Sequence, residues 1–372
     1  MNILMHCVYF PPEVGGLESH IYYLCKALVE KGHTVDVVTA RSQPGLAAHE
    51  VMAGIGVHRT WMPSRNTPGW AAHAMASMPV FGGLAKKADI LHAQDIAGIL
   101  PCMVAQRVKR APLVTTYHSS HFLMRAESPF WRPIFRKFVE AADHNLAASA
   151  QIAEVGEAIA PGHAVEALTN GVETEFFRRI EPALEAPPEG RMRLVVPRRL
   201  FHKNGVEFFV RAMPLIVSEI DVEAIVVGDG PERDTLERLA GDLGVSDRIR
   251  FMGAQPNPTM PGLLSSADLA VFPSLMEATS VAALEAMACE LPVAASDVGG
   301  LPEIVNDAVG GLFEPGNPTA LAAKVVELLR GGRIRDLGAE ARRQVVESWS
   351  NDRLAERHLA IYEALLARNG AA

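Results

Sequence analysis

The sequence predicts an α/β protein built from two Rossmann-like lobes, and three features carry that prediction. Length is the first: 372 residues exceed what one hydrophobic core usually organises, at roughly 150 residues per domain. In both halves, short apolar strands alternate with segments of helical spacing. Hydrophobic residues make up 49% and charged residues 21% of the chain, the balance of a folded, soluble enzyme rather than a disordered or fibrous protein.

The chain opens on Asn2-Ile3-Leu4-Met5-His6-Cys7-Val8-Tyr9, a first strand with neither a basic leader nor a small-residue cleavage site. Pro11-Pro12-Glu13-Val14-Gly15-Gly16 follows, and then Leu17, Ile21, Leu24, Leu28 and Val29 recur at helical spacing. Gly32 stops that helix and residues 34–39 form the next strand, completing a βαβ unit of the kind that builds parallel sheets. Further strands are expected at 89–93, 113–117 and 145–149. After the turn Asn170-Gly171-Val172, residues 180–191 are rich in Pro and Glu without periodicity. That segment reads as a surface connection between lobes and places the boundary near 170–190. Strands are expected again at 193–197, 223–227, 249–252, 269–272 and 292–295. A last amphipathic helix over 352–366 carries Leu354, His358, Ile361, Leu365 and Leu366 on one face.

Several classes fall away. Cys7, Cys25, Cys102 and Cys289 are scattered with no CxxC pair, so neither a disulfide framework nor a structural metal is indicated, and a reducing cytoplasm fits. The longest uncharged stretch, 66–85, is broken by Pro68, Gly69, His73, Pro79, Gly82 and Gly83, too polar and interrupted for a membrane span. A net charge of −8 speaks against general nucleic-acid binding.

The chemistry concentrates after the strand that ends at Phe272-Pro273-Ser274. There Glu277 lies in a loop, Ser280 can cap a helix from Val281, and Glu285 sits about a turn inside it. The free N–H groups of Ala278, Thr279, Ser280 and Val281 would face an anion, favoured by the helix dipole. Glu285 then lies roughly 6–8 Å further along the axis, a distance that suits the ribose of a nucleotide diphosphate. An ionised carboxylate accepts hydroxyl hydrogen bonds strongly, and one embedded in an apolar helix is costly without a partner.

A departing diphosphate calls for cations. Arg199 and Lys203 are the candidates, on a loop after the strand 193–197, at the sheet edge where open α/β folds bind ligands; an exposed basic loop is the alternative reading. Gly15-Gly16 can let the backbone approach a phosphate or can form a simple turn. His118, directly after the strand 113–117, can contact a sugar, assist at an acceptor hydroxyl, or be structural. Gly228-Asp229-Gly230-Pro231 and Gly253 stand at similar strand ends, where a backbone can meet a nucleobase.

In this order, Gly15-Gly16, His118, Asn170-Gly171-Val172, Arg199 with Lys203, Gly228-Asp229-Gly230-Pro231 and Glu277-x7-Glu285-Ala-Met-Ala resemble the retaining glycosyltransferases of family four along nearly the whole chain. The resemblance implies a GT-B fold, two Rossmann-like lobes facing a cleft. It divides the chain into an acceptor-side lobe 1–170, a donor-binding lobe 171–348 and a terminal helix 349–372 crossing back to the first lobe. It further implies that Glu277 binds donor-sugar hydroxyls and Glu285 the ribose, that Arg199 and Lys203 hold the diphosphate, and that Gly15-Gly16 meets the phosphate. His118 would lie beside the reacting sugar. The donor is expected to be a UDP- or GDP-sugar and no cofactor or metal is called for, in keeping with the absence of an Asp-x-Asp triplet. Two departures stand out: the usual Gly-Arg-Leu is Arg198-Arg199-Leu200, and Asn204 occupies the position of the family's lysine. A sugar-nucleotide epimerase or hydrolase of the same fold stays open, as does a catalytically silent nucleotide-sugar-binding protein; dependence on an acceptor separates them.

The acceptor is expected to be a glycan, a lipid-linked molecule or a phosphorylated small molecule. Between Arg107 and Lys137 seven basic residues face one acid, Glu127, and Phe130, Trp131, Phe135 and Phe138 are interleaved with the last of them. That pattern over 125–138 suits contact with an anionic membrane at its cytoplasmic face. A solvated helix with its aromatics in the core fits equally.

Overall fold

The computed structural model describes residues 1–13, 15–118 and 120–370 and divides into two units, Met1–Gly171 with Asn351–Ala372, and Val172–Ser350. The chain passes between them at Gly171/Val172. The expected connection at 180–191 instead belongs to the second unit. The N–H groups of Ile180 and Leu184 donate to Ser265 and Ser266, and that of Ala183 to the Gly262 carbonyl. An aperiodic, Pro-rich sequence signals irregular backbone but not which unit holds it.

In unit 1 the order is β1 (Asn2–His6), α1 (Gly16–Glu30), β2 (Thr34–Ala40), β3 (His49–Met52), β4 (Ile55–Thr60), α2 (Thr67–Ala85), β5 (Ile90–Gln94) and α3 (Ile96–Lys109). It continues with β6 (Leu113–Tyr117), α4 (Ser120–Ala126), α5 (Arg132–Ala141), β7 (His144–Ala147), α6 (Ala150–Ile159) and β8 (Val165–Ala167). The eight strands pair as β3-β4-β2-β1-β5-β6-β7-β8, parallel except for the β3–β4 hairpin. Central strands such as β5 and β6 are buried at every position, which is why they read as continuous apolar runs rather than alternating ones.

In unit 2 the order is β9 (Met192–Val196), α7 (Val206–Val217), β10 (Val222–Val227), α8 (Arg233–Asp242), β11 (Ile249–Gly253), α9 (Met260–Ser265) and β12 (Leu269–Phe272). Then come α10 (Val281–Ala288), β13 (Val293–Ser296), α11 (Leu301–Ile304), β14 (Gly310–Phe313), α12 (Pro318–Arg330) and α13 (Ile334–Ser348). Its strands form an all-parallel sheet, β11-β10-β9-β12-β13-β14. Apolar clusters cover it on both faces, one around Val196, Phe209 and Val226, the other around Phe272, Leu284 and Val293.

The last helix, α14 (Asn351–Gly370), belongs to unit 1. Leu354, Ile361, Tyr362 and Leu365 join the cluster of β1 and α1. Tyr362 is fully buried, and its hydroxyl bonds His92 at 2.6 Å.

Candidate functional site

A strand order that reverses direction leaves a crevice at the carboxyl ends of the strands where it reverses. In unit 2 the chain runs outward from β9 to β10 and β11, then returns to place β12 on the other side of β9. The loops after β9 and β12 therefore meet at the switch point. The carbonyl of Lys203 accepts from the N–H groups of Leu275 and Met276 at 2.8 and 3.2 Å. Gly205 makes this approach possible: it has φ +64°, and a Cβ there would stand 1.9 Å from the Pro273 carbonyl oxygen.

Between these loops Arg198 and Glu277 form an ion pair, with side chains 9% and 15% exposed. The same guanidinium donates to Ser274 Oγ at 2.7 Å and Asn204 Oδ1 at 3.1 Å, and reaches Ser280 Oγ at 3.5 Å. It lies over the Phe272 ring, 5.8 Å from its centroid. Arg198 Nε and Thr279 Oγ1 are buried without a hydrogen-bond partner among the described residues; such groups in a native fold call for an explanation.

The sequence assigns Arg199 and Lys203 to the diphosphate; the cation paired with Glu277 is a third one, Arg198. Arg199 is exposed, its guanidinium 5.9 Å from the Phe201 ring centroid. Lys203 is also exposed, and its amine is pushed below the usual lysine range by partial loss of water, against the pull of Glu277 and with the help of Arg199 and Arg198. Asn204 is buried, its amide donating to the Arg199 carbonyl at 2.6 Å while its oxygen accepts from Arg198. An Arg-Arg pair at a strand end does not reveal which side chain turns inward; Ser274, Glu277 and Ser280, which help decide it, lie 76 to 82 residues away in sequence.

Ser280 caps α10 as expected, its Oγ accepting from Ala283 N at 3.3 Å. Ala278 and Thr279 are partly buried ahead of it, and Val281 is buried. Glu285 is flanked on α10 by the buried Leu284 and Ala286. Loss of water around its carboxyl lifts its pKa to about 8, and no ion-pair partner for it is found among the described residues. Glu277 is braced from the far side by Gly299, which has φ +59° and leaves no room for a Cβ, 1.7 Å from the Glu277 carbonyl oxygen.

The glycines after β10 have a packing reason. A Cβ at Gly228 would stand 2.1 Å from the Arg198 carbonyl oxygen and one at Gly230 2.3 Å from that of Leu200. Gly253 has φ +71°, and its carbonyl already accepts from Gly228 N–H at 2.9 Å.

In unit 1 the switch point lies between β1 and β5. Gly16 begins the 15-residue helix α1, Gly15 precedes it without a cap of its own, and the Glu18 carboxylate of the first turn lies against Gly15. Val14 lies outside the described residues. His118 is buried, its ring nitrogens at 2.6 Å from Gln94 Oε1 and 3.2 Å from Asn170 Oδ1. Burial lowers its pKa to about 3. A neutral ring carries one N–H, so it donates to only one of these amide oxygens and its other nitrogen keeps a lone pair; burial holds His118 uncharged between Gln94 and Asn170.

The aromatics of 125–138 largely face inward. Phe135 is buried and stacks on Phe122 with centroids 5.2 Å apart, Trp131 and Phe138 are partly buried, and Phe130 is exposed. Arg125 lies over Trp131 at 5.2 Å, Arg132 donates to the Ala158 carbonyl, and Arg136 pairs with Glu140. Among the described residues no helix is long and apolar enough to cross a membrane.

Two family models match the chain. The glycosyltransferase family 4 model covers residues 14–176, and the model described as glycosyl transferases group 1 covers residues 177–346. An uncharacterized glycosyltransferase of Methanocaldococcus jannaschii is 30% identical over the full length of both chains. The N-acetyl-alpha-D-glucosaminyl L-malate synthase of Bacillus anthracis is 28% identical over 95% of each. Among solved structures, a sucrose-phosphate synthase of Thermosynechococcus elongatus superposes with a TM-score of 0.83 at 22% identity, covering 99% of each chain.

Proposed function

We propose, for a chain that belongs to glycosyltransferase family four, has the GT-B fold and moves a sugar from a nucleotide-sugar donor with retention, that the donor binds at the β9/β12 switch point of unit 2. The observation that carries this reading is the Arg198–Glu277 pair, held between two strand-end loops beside a capped helix start. A carboxylate fixed by a guanidinium, Ser274 and the Gly299 turn is preorganised to accept sugar hydroxyls. Glu285 takes the ribose, where two hydroxyl donors would compensate a carboxyl that water has left. Arg199 and Lys203, exposed on the same loop, take the diphosphate together with the N–H groups of Ala278, Thr279 and Val281. Arg198 Nε and Thr279 Oγ1 offer further unclaimed bonds.

The donor is a UDP- or GDP-sugar, with Gly253 and its loop at the nucleobase. Gly15-Gly16 meets the phosphate, and His118 shapes the sugar's surroundings as a neutral group. Unit 1 supplies the acceptor side, and the leaving phosphate assists in taking the proton from the acceptor hydroxyl. The cations between Arg107 and Lys137 favour a lipid-linked or phosphorylated acceptor. The test combines thermal-shift screening with UDP- and GDP-sugars and mass spectrometry of product with candidate acceptors. Nucleoside diphosphate released only when acceptor is present supports transfer from this site; donor consumption that ignores the acceptor contradicts it.

A further inference from the structure

On the outer surface of unit 1, α2 carries no charged side chain over its 19 residues, and Met75, Pro79 and Val80 are exposed along it. A helix apolar on all sides is normally buried. Beside it on α3, Leu100, Val104 and Val108 recur at every fourth position on one exposed line, Val108 with 80% of its surface in solvent. Between the helices lies a shallow, mostly apolar groove of about 200 Å³, with Met78 and Gly82 on one wall and Pro101, Val104 and Val108 on the other. An exposed apolar line running beside such a groove marks a candidate contact site.

The rim identifies what it contacts. Lys86 and Lys87 follow α2, and Arg107, Lys109 and Arg110 close α3. All five are exposed, and none has an ion-pair partner among the described residues. Lys86 and Lys109 line the groove itself. From Trp61 to Ala126 the only acids are Asp89 and Asp95. Asp89 accepts from Asn2 N–H, Asp95 caps α3, and Asp143 accepts from Gln106 of α3 and from Leu113 N–H; the five cations outnumber the acids beside them.

We infer that this α2–α3 face docks on an anionic lipid bilayer, its apolar line entering the headgroup boundary and its five cations meeting lipid phosphates. Apolar side chains beside unpaired Lys and Arg are the composition of interfacial membrane contacts. A second copy of this chain fits poorly, because a two-fold contact brings the same patch from both partners and would oppose the two sets of cations. Segment 125–138 differs from this face: Phe135 is buried and Trp131 and Phe138 are partly buried, with Phe130 alone among its four aromatics exposed. All residues involved lie in unit 1, so the inference is independent of the donor reading.

Flotation of the full-length protein with vesicles of phosphatidylcholine alone, or mixed with phosphatidylglycerol, tests it. The protein is expected to float with the anionic vesicles, to be released by high salt, and to leave the neutral ones. Val104→Asp/Val108→Asp and, separately, Lys86→Glu/Lys87→Glu/Arg110→Glu should each reduce binding about tenfold or more. Arg132→Ala/Arg136→Ala/Lys137→Ala should bind like the parent. The charge-reversal variant probes the same face without touching the apolar line, so a folding defect in one variant leaves the other readable. No binding by the parent, binding by both face variants as strong as the parent's, or loss confined to the Arg132/Arg136/Lys137 variant would overturn the inference. So would light scattering that finds a dimer which Val104→Asp/Val108→Asp splits into monomers.

Discussion

His6, His20, His73, His92, His118 and His358 are all buried in unit 1, whereas unit 2 has a single histidine, His202, which is exposed. Unit 2 instead encloses the Arg198–Glu277 pair and the isolated carboxyl of Glu285. Burial lowers the pKa of these six buried histidines of unit 1, and it raises that of Glu285. The same physical cause, loss of water, therefore gives the two units opposite responses to pH. Both imidazole and carboxylic acid are forced toward neutrality, but one is a base that sheds its proton and the other an acid that keeps it.

The largest effect expected in testing this contrast is on the ion pair. Glu277→Ala leaves Arg198 enclosed without its counter-charge, destabilising unit 2 by about 3 kcal/mol. It should also lower kcat by roughly 100-fold or more, with nucleotide affinity, read by calorimetry, largely kept. Equal loss of nucleotide affinity in Glu277→Ala and Glu285→Ala would contradict the division of roles between them.

Next comes the pH response of unit 1. Above the ordinary histidine pKa of 6.5 the six rings are neutral whether folded or unfolded, and their contribution to stability is intact. As pH falls below it, the unfolded chain takes up protons that the folded unit refuses, so stability declines, by up to about 1.4 kcal/mol per pH unit for each ring. Hydrogen exchange at pH 7.5 and 5.5 should show protection falling in β1, β5 and β6 and not in β9 and β12. Equal loss in both sheets would break the comparison.

Glu285 runs the other way. Its pKa of about 8 against an ordinary 4.5 means stability present below 4.5 and lost as pH rises to about 8. Glu285→Gln, which cannot ionise, should stabilise unit 2 at pH 8 by about 1 kcal/mol or more while weakening nucleotide binding, a trade expected where a strained group serves function. Thermal unfolding with and without UDP or GDP reads both. Smallest of all, Arg136→Ala should change stability by less than about 0.5 kcal/mol, because its bond to Glu140 is an exposed helix pair.

Much of the sheet order was legible, because a buried parallel strand is a short run of apolar residues. Leu113–Tyr117 and Leu269–Phe272 match the expected spans to the residue, and Ser280 caps α10 between Glu277 and Glu285 as their spacing predicts. What was hidden has physical reasons. Helix α2 lacks the polar face that marks a surface helix, so its periodicity is weak. Strand β3 is four residues long with no buried position. The buried histidines read as polar positions and gave no sign of forming an interior. Arg198 was passed over because pairing with Glu277 depends on register between β9 and β12, a long-range property that no local pattern contains.

The helix α14 has a consequence for how the protein is made. Unit 1 is discontinuous: its first 171 residues are separated from Asn351–Gly370 by the whole of unit 2. As the chain leaves the ribosome, the cluster around β1 and α1 waits for Leu354, Ile361, Tyr362 and Leu365, while unit 2 already has every residue it needs. The half synthesised first is thus the half completed last, and a truncation after Ser350 would release a finished unit 2 tethered to an open unit 1.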